Sequence, residues 1–198
     1  TFNIIKNTGL NLNSTAVMDG FQIAFGNATN LRGGGIENGN NSSPTIRNCA
    51  FLSNKAAYGG AINNNNGCSP TITNCTFTSN MSDVYGGAVM CESGSAPTFT
   101  GCTFSSNTAV FGGCIFANAT NLTLNDCDFL SNTVTSSGGA FYRSGGSCNA
   151  DNCTFTSNTA GRNGGAMETG GGVSTITECT FSSNKTTSTT TPYGLGGA

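Results

Sequence analysis

Few groups in this sequence have side chains that could do chemistry. Its 198 residues include nine Asp and Glu, seven Lys and Arg, ten Cys and no His. Without imidazole, Ser-His-Asp and Cys-His nucleophilic arrangements are excluded. No C-x-x-C spacing occurs either, which removes the usual zinc frameworks. The acids form one loose grouping. Asp126 and Asp128 lie two apart, Asp151 follows, and Arg143 and Arg162 are in the same stretch. Clustered carboxylates can hold Ca²⁺ and a basic side chain can accept a proton, the chemistry of a polysaccharide lyase. Asp126, Asp128 and Asp151 are therefore the one candidate metal or catalytic set, set against ordinary solvated surface charge. The reading is a non-enzyme with no cofactor.

The cysteines point elsewhere, to a repeat. Cys49, Cys75, Cys102, Cys127, Cys153 and Cys179 are spaced by 26, 27, 25, 26 and 26 residues. Two residues after each stands a phenylalanine: Phe51, Phe77, Phe104, Phe129, Phe155 and Phe181. Three further on stands an asparagine: Asn54, Asn80, Asn107, Asn132, Asn158 and Asn184. A glycine pair follows, from Gly59-Gly60 to Gly196-Gly197, then usually alanine and an apolar residue. The unit reads approximately PTITNCTFTSN…GGAI. An earlier copy, FGNATNLRGGGI at 25–36, has the Phe-to-Ile spacing of FLSNKAAYGGAI at 51–62, which places Ile23 in the cysteine column.

The segments between these fixed residues are short, rich in β-branched and aromatic side chains, and separated by Asn, Ser and Gly. None keeps a helical period over three turns. Short strands repeating at a fixed interval, each unable to bury its own apolar face, imply a solenoid. The expected fold is all-β, a right-handed parallel β-helix of about seven coils of about 26 residues. The single domain spans 1–198. Residues 1–42 form degenerate first coils, 43–184 the regular repeats, and 185–198 a Thr-rich loop with an incomplete last coil. Stacking at about 4.8 Å per coil turns Phe into an internal stack and Asn into a ladder along a bend. The glycine pair permits a positive-φ corner.

The GGAI and FxxN signatures resemble the repeats of chlamydial polymorphic outer membrane proteins. The stretch VMDGFQIAFGNATNLRGGGIENGNNSSPTIRNCAFLSN is similar to bacterial secreted right-handed β-helix proteins. The likeness spans about 17 to 198. It implies surface display, adhesion or a passenger role, often without catalysis. The fold also hosts polysaccharide lyases and hydrolases, so function must be argued from a site.

Neighbouring coils bring the column cysteines within disulfide range, so three vertical bridges compete with a ladder of buried thiols acting as small hydrophobes. Cys68, Cys91, Cys114 and Cys148 lie outside the column. Tyr58, Tyr85, Phe111 and Tyr193 precede glycine pairs, as a packing spine over the corner or a platform for surface glycans. Thr71/Thr73, Thr98/Thr100 and Thr175/Thr177 form outward pairs similar to those of ice-binding β-solenoids. Arg47, Asn125 and residues 149–151 interrupt them, so they read as ordinary exposed strand threonines.

Only 8% of residues are charged and the net charge is −2, which offers nothing to hold a phosphate backbone, so nucleic acid is not an expected partner. No apolar run is long enough to cross a bilayer. The cysteine content and N-x-S/T sequons fit an extracellular or cell-surface glycoprotein. Asn13, Asn27, Asn40, Asn41, Asn74, Asn118, Asn121 and Asn152 are the candidate glycosylation sites. Asn80 and Asn184 also head sequons but belong to the internal ladder, so they should stay empty. No capping helix is evident, which makes further copies stacked head-to-tail the expected partner. The functional expectation is a structural subunit or segment of a surface fibre, with a glycan-binding adhesin as the alternative.

Overall fold

The computed structural model describes residues 2–92 and 94–188. Every regular element among them is a β-strand, and all strand pairings are parallel within three sheets of twelve, seven and seven strands. One coil shows the plan. Ile62–Asn64 and Thr71–Thr73 lie in the long sheet, Thr76–Thr78 in the second and Met81–Tyr85 in the third. The chain then passes Gly86-Gly87 and re-enters the long sheet at Val89–Cys91, one level higher. In two later coils the two runs of the long sheet join into single eleven-residue strands, Ile115–Asn125 and Phe141–Asp151.

Parallel, in-register pairing stacks equivalent residues, so the alternation along each short strand becomes a set of inner columns. The second sheet aligns Ile23, Phe51, Phe77, Phe104, Phe129, Phe155 and Phe181. From Phe51 upward the rings stack nearly parallel, with centroids 4.6–5.0 Å apart. The long sheet supplies two more columns. One runs Ile36, Ile62, Val89, Ile115 and Phe141, the other Ile46, Ile72, Phe99, Leu124 and Ala150, all fully or almost fully buried. Burial of each large side chain contributes about 1.5–3 kcal/mol.

The corners between sheets need residues in the left-handed region. Ser53, Ser79, Ser106, Ser131, Ser157 and Ser183 take φ of 51–58° immediately before the six asparagines. Each asparagine then points inward and repeats one pattern. Its Oδ1 accepts the backbone N–H of the residue one coil below, Gly26 or a ladder Asn, at 2.9–3.0 Å. From Asn54 to Asn158, each Nδ2 donates to the next Oδ1 at 2.9–3.1 Å. The same Nδ2 donates to the Ile23 or Phe carbonyl one coil below, at 2.8–3.0 Å. Buried polar groups at a turn are thereby satisfied without water. At the glycine pair the first residue has positive φ and the second is held by close approach. A Cβ on Gly113 would stand 2.1 Å from the Gly139 carbonyl oxygen.

The first coil corrects one expectation. Ile23 sits in the phenylalanine column, opposite Phe51, and not in the cysteine column. The third-sheet strand Asn27–Arg32 pairs Ala28 with Ala56 but Arg32 with Tyr58, so it bulges by two extra residues. That insertion restores the apparent spacing while shifting every residue before it. Phe25 consequently occupies a left-handed corner at φ 59°, exposed to solvent. Gly196-Gly197, Tyr193 and most of the 185–198 segment lie outside the described residues.

The ladder makes a sharp prediction. Asn107→Ala strips acceptors from the Asn80 backbone N–H and Nδ2 and a donor from the Phe77 carbonyl. Each buried group left unpaired costs about 1–3 kcal/mol. Urea denaturation should show a loss of at least about 3 kcal/mol, whereas outward Ser105→Ala should stay within about 0.5 kcal/mol of the parent.

Candidate functional site

The loose acidic set does not converge. Asp126 stands at the left-handed corner before Cys127, in a position taken in other coils by Asn48, Asn74, Gly101, Asn152 and Glu178, all with φ of 50–62°. There it accepts a hydrogen bond from Asn152 Nδ2 at 2.7 Å. Asp128 lies round that corner, on the second sheet, accepting from Thr154 Oγ1 at 2.5 Å. Asp151 ends a strand of the long sheet opposite Asn125 and Thr177. The basic residue beside them in sequence, Arg143, points the other way. Its side chain is buried inside the solenoid, where Nη1 donates to the Gly146 carbonyl and Nη2 to Ser174 Oγ, at 2.7 and 2.8 Å. Arg162 belongs to the segment leading from the third sheet to Gly164. Among the described residues no three His, Cys, Asp or Glu side chains are placed to hold a metal ion.

Other acids hold surface partners. Glu37 pairs with Lys6 at 3.2 Å, Asp83 with Lys55 at 3.3 Å, and Glu92 with Arg32. Asp19 accepts from Asn48 Nδ2 at 2.7 Å and Arg47 Nε at 2.9 Å. These two hydrogen bonds hold its carboxyl below the usual carboxylate range.

The six column cysteines stack at the corner between the long and second sheets, and all ten cysteines are free thiols. Each column Sγ approaches the carbonyl two residues before it at 3.1–3.5 Å. Cys75 Sγ also accepts the Cys49 backbone N–H, and Cys179 Sγ that of Cys153, both at 3.4 Å. The sulfur therefore does at this corner a weaker form of what the Asn carbonyl oxygen does at the next. The spacing reveals the column; the hydrogen-bonding role is hidden because neither a disulfide nor a small hydrophobe, the two readings of cysteine at that spacing, calls for it. A Cys102 thiolate would receive S–H hydrogen bonds from Cys127 and Cys75, which draws its proton affinity down and pushes theirs up. Cys148 is fully buried, and burial pushes its thiol up to about 12. Cys91 is likewise pushed up to about 12 by burial, and Cys114 rises for the same reason.

The aromatic residues before the glycine pairs do form a spine. Tyr58 and Tyr85 have centroids 5.9 Å apart, and Tyr85 and Phe111 5.7 Å. Two rings the repeat did not mark, Phe116 and Tyr142 on the outer face of the long sheet, join it with centroids 5.2 Å apart. The Arg32 guanidinium lies over Tyr58 at 5.5 Å. Ring faces are thus largely covered by one another and by Arg32. Beside Tyr58, the two-residue bulge opens a cleft of about 250 Å³ lined by Lys6, Asn30, Leu31, Arg32, Glu37 and Tyr58. Its charges are already engaged, Lys6 by Glu37 and Arg32 by Glu92.

Outward threonines of the long sheet align as expected, with Arg47, Asn125 and Asp151 breaking the array. A second hydroxyl-bearing face lies on the second sheet, at Thr76/Thr78, Thr103/Ser105, Thr154/Thr156 and Thr180/Ser182, interrupted by Asp128/Leu130. Some of its hydroxyls bond each other, Thr78 with Ser105 and Thr156 with Ser182. Asn13, Asn27, Asn40, Asn41, Asn74, Asn118, Asn121 and Asn152 are exposed, while Asn80 and Asn184 are buried in the ladder.

With this geometry in place, comparison with known proteins decides the family. A family model described as a right-handed β-helix region matches residues 1–155. The chain belongs to the right-handed β-helix family. No curated protein and no solved structure matches it. The match carries the coil architecture and its hand, and it reaches no further toward the chlamydial surface proteins in particular. Right-handed β-helices include polysaccharide-cleaving enzymes and proteins with no catalytic role, so membership leaves activity to the side chains.

The Asp19 contacts predict an acid-sensitive corner. A carboxyl whose folded pKa is depressed adds stability that is present above its unfolded pKa and lost as pH falls through the folded value. The Asp19 resonance should titrate below the model-peptide value of about 3.9. Asp19→Asn should flatten the acid limb of the pH–stability curve. A midpoint at or above the model value would contradict the assigned contacts.

Proposed function

We propose that this β-helix is a non-catalytic structural segment or subunit of an extracellular, cell-surface fibre, its coils continuing onto those of further copies stacked head-to-tail. The observation that carries this reading is the state of the two coil ends. At one end the strands Val173–Thr177 and Thr180–Ser182 pair on one side only among the described residues, with the inner-column residues Ile176 45% and Phe181 36% exposed. At the other, Phe21, which aligns with Cys49, is 60% exposed, while Ile5 and Met18 are part-buried and Ile23 is buried. Edge strands with inner apolar columns running out to solvent are templates for further pairing. Different surfaces meeting end to end generate open polymers instead of closed dimers.

The carboxylates support a non-catalytic role, since Asp126 and Asp128 serve as hydrogen-bond acceptors within corner and strand columns. Glycan recognition, the alternative, draws less support from the spine, whose ring faces stack on each other.

Electron microscopy of the folded protein should show filaments with an axial subunit repeat of roughly 35 Å, seven coils at about 4.8 Å. Ile176→Lys with Phe181→Lys places charge on the open end and should leave only single particles, with the circular dichroism of the parent. Monodisperse parent protein would overturn the polymer, and glycan-array binding by that material would put the adhesin in its place. Glycopeptide mass spectrometry of secreted protein should find sugar only on the eight exposed sequons. Occupied Asn80 or Asn184 would contradict the ladder.

A further inference from the structure

We propose that the cysteine column is a redox-convertible staple that closes as three vertical disulfides, Cys49–Cys75, Cys102–Cys127 and Cys153–Cys179. The column alone carries this, whether or not the chain polymerises. Coils rise by 4.6–5.0 Å, judged from the neighbouring phenylalanine rings. Disulfides span Cα separations of about 4.4–6.8 Å, so residues one coil apart are within reach. Their Cβ atoms must come to about 3.5–4.5 Å, slightly closer than the coil rise. The column can supply that small approach because each cysteine sits at a corner, outside the regular strands and just after a left-handed residue. Sulfur already reaches toward the neighbouring coil. Cys75 Sγ is 3.4 Å from the Cys49 nitrogen, and Cys179 Sγ is 3.4 Å from that of Cys153.

Topology then fixes the pairing. Within the line of six thiols each faces only the one above and the one below, so complete oxidation among the six has one solution. Pairing must start at the ends, and every other gap is bridged. The bridges close segments of 26, 25 and 26 residues and tie the six coils into three pairs. The gaps Cys75–Cys102 and Cys127–Cys153 stay open. Each closure is a thiol–disulfide exchange with a low-molecular-weight disulfide such as oxidised glutathione. A Cys thiolate attacks the oxidant, releasing one glutathione thiol, and the second Cys thiolate displaces the other. Two protons and two electrons leave the protein, and one disulfide is reduced to two thiols. Five of the six sulfurs are buried and Cys179 is part-exposed, so exchange takes place while the coils assemble or enters from the Cys179 end.

The test refolds the reduced, full chain in a glutathione redox buffer, alkylates remaining thiols, and maps cross-linked peptides by mass spectrometry. Circular dichroism of reduced and oxidised samples is followed in parallel. The expected product has the three named bridges, the parent β spectrum, and a thermal midpoint raised by roughly 10 °C or more. Cys102→Ser should lose one bridge and keep Cys49–Cys75 and Cys153–Cys179. Six alkylated column thiols in the refolded chain would overturn the proposal. So would bridges in any other pattern, above all one from Cys148, which lies near Cys153 and Cys179.

Discussion

Everything in this molecule depends on one distance, the spacing between backbone strands hydrogen-bonded in parallel. A rise of about 4.8 Å is close to the stacking distance of aromatic rings and to the reach of one carboxamide to the next. A side chain that suits one level therefore suits all of them. The Phe51-to-Phe181 stack and the Asn54-to-Asn184 ladder are two uses of this coincidence. Other residue types would satisfy one level and fail at the next. A charged column would repel itself, and a small residue would leave a void at every level. This is why the chain has so few charges inside and why Arg143, the exception, faces backbone carbonyls and a serine hydroxyl.

The same constraint divides labour between the corners. Two of the three corners take a left-handed residue followed by an inward side chain that accepts hydrogen bonds. At the Ser-Asn corner the acceptor is a carboxamide oxygen, and the nitrogen of the same group donates. At the Asn-Cys corner it is a sulfur, weaker and more apolar, beside the long sheet's aliphatic columns. The glycine pair serves the third corner by removing side chains where backbones approach most closely.

Much of this was legible in the sequence because period and position are the same thing in a solenoid. The spacing of the cysteines, phenylalanines and asparagines gave the coil length and three columns. What stayed hidden had local causes. In the first coil the bulge between Ala28 and Arg32 lets Phe25 imitate a column residue, although Met18 to Ile23 keeps the five-residue step of Ile46 to Phe51. That step, read from the N-terminal side, is the signal that places Ile23 correctly. The sequence places Arg143 in the same stretch as Asp126 and Asp151, and only the alternation of a strand too long for the repeat turns it inward. The serines before each asparagine were visible, but nothing in their chemistry announces a left-handed corner.

The asparagine ladder also has a direction. Each amide turns its oxygen toward the coil below, and from Asn54 to Asn158 its nitrogen reaches the oxygen of the coil above, so the side-chain dipoles align along the axis. Sheets themselves contribute little net dipole, which leaves this column as an uncancelled one. The molecule is thus electrically polar from end to end in its interior, while its net charge is only −2. An axis with a built-in sense distinguishes its two faces, and anything that adds to it, a nascent coil or a second molecule, meets an orientation already chosen.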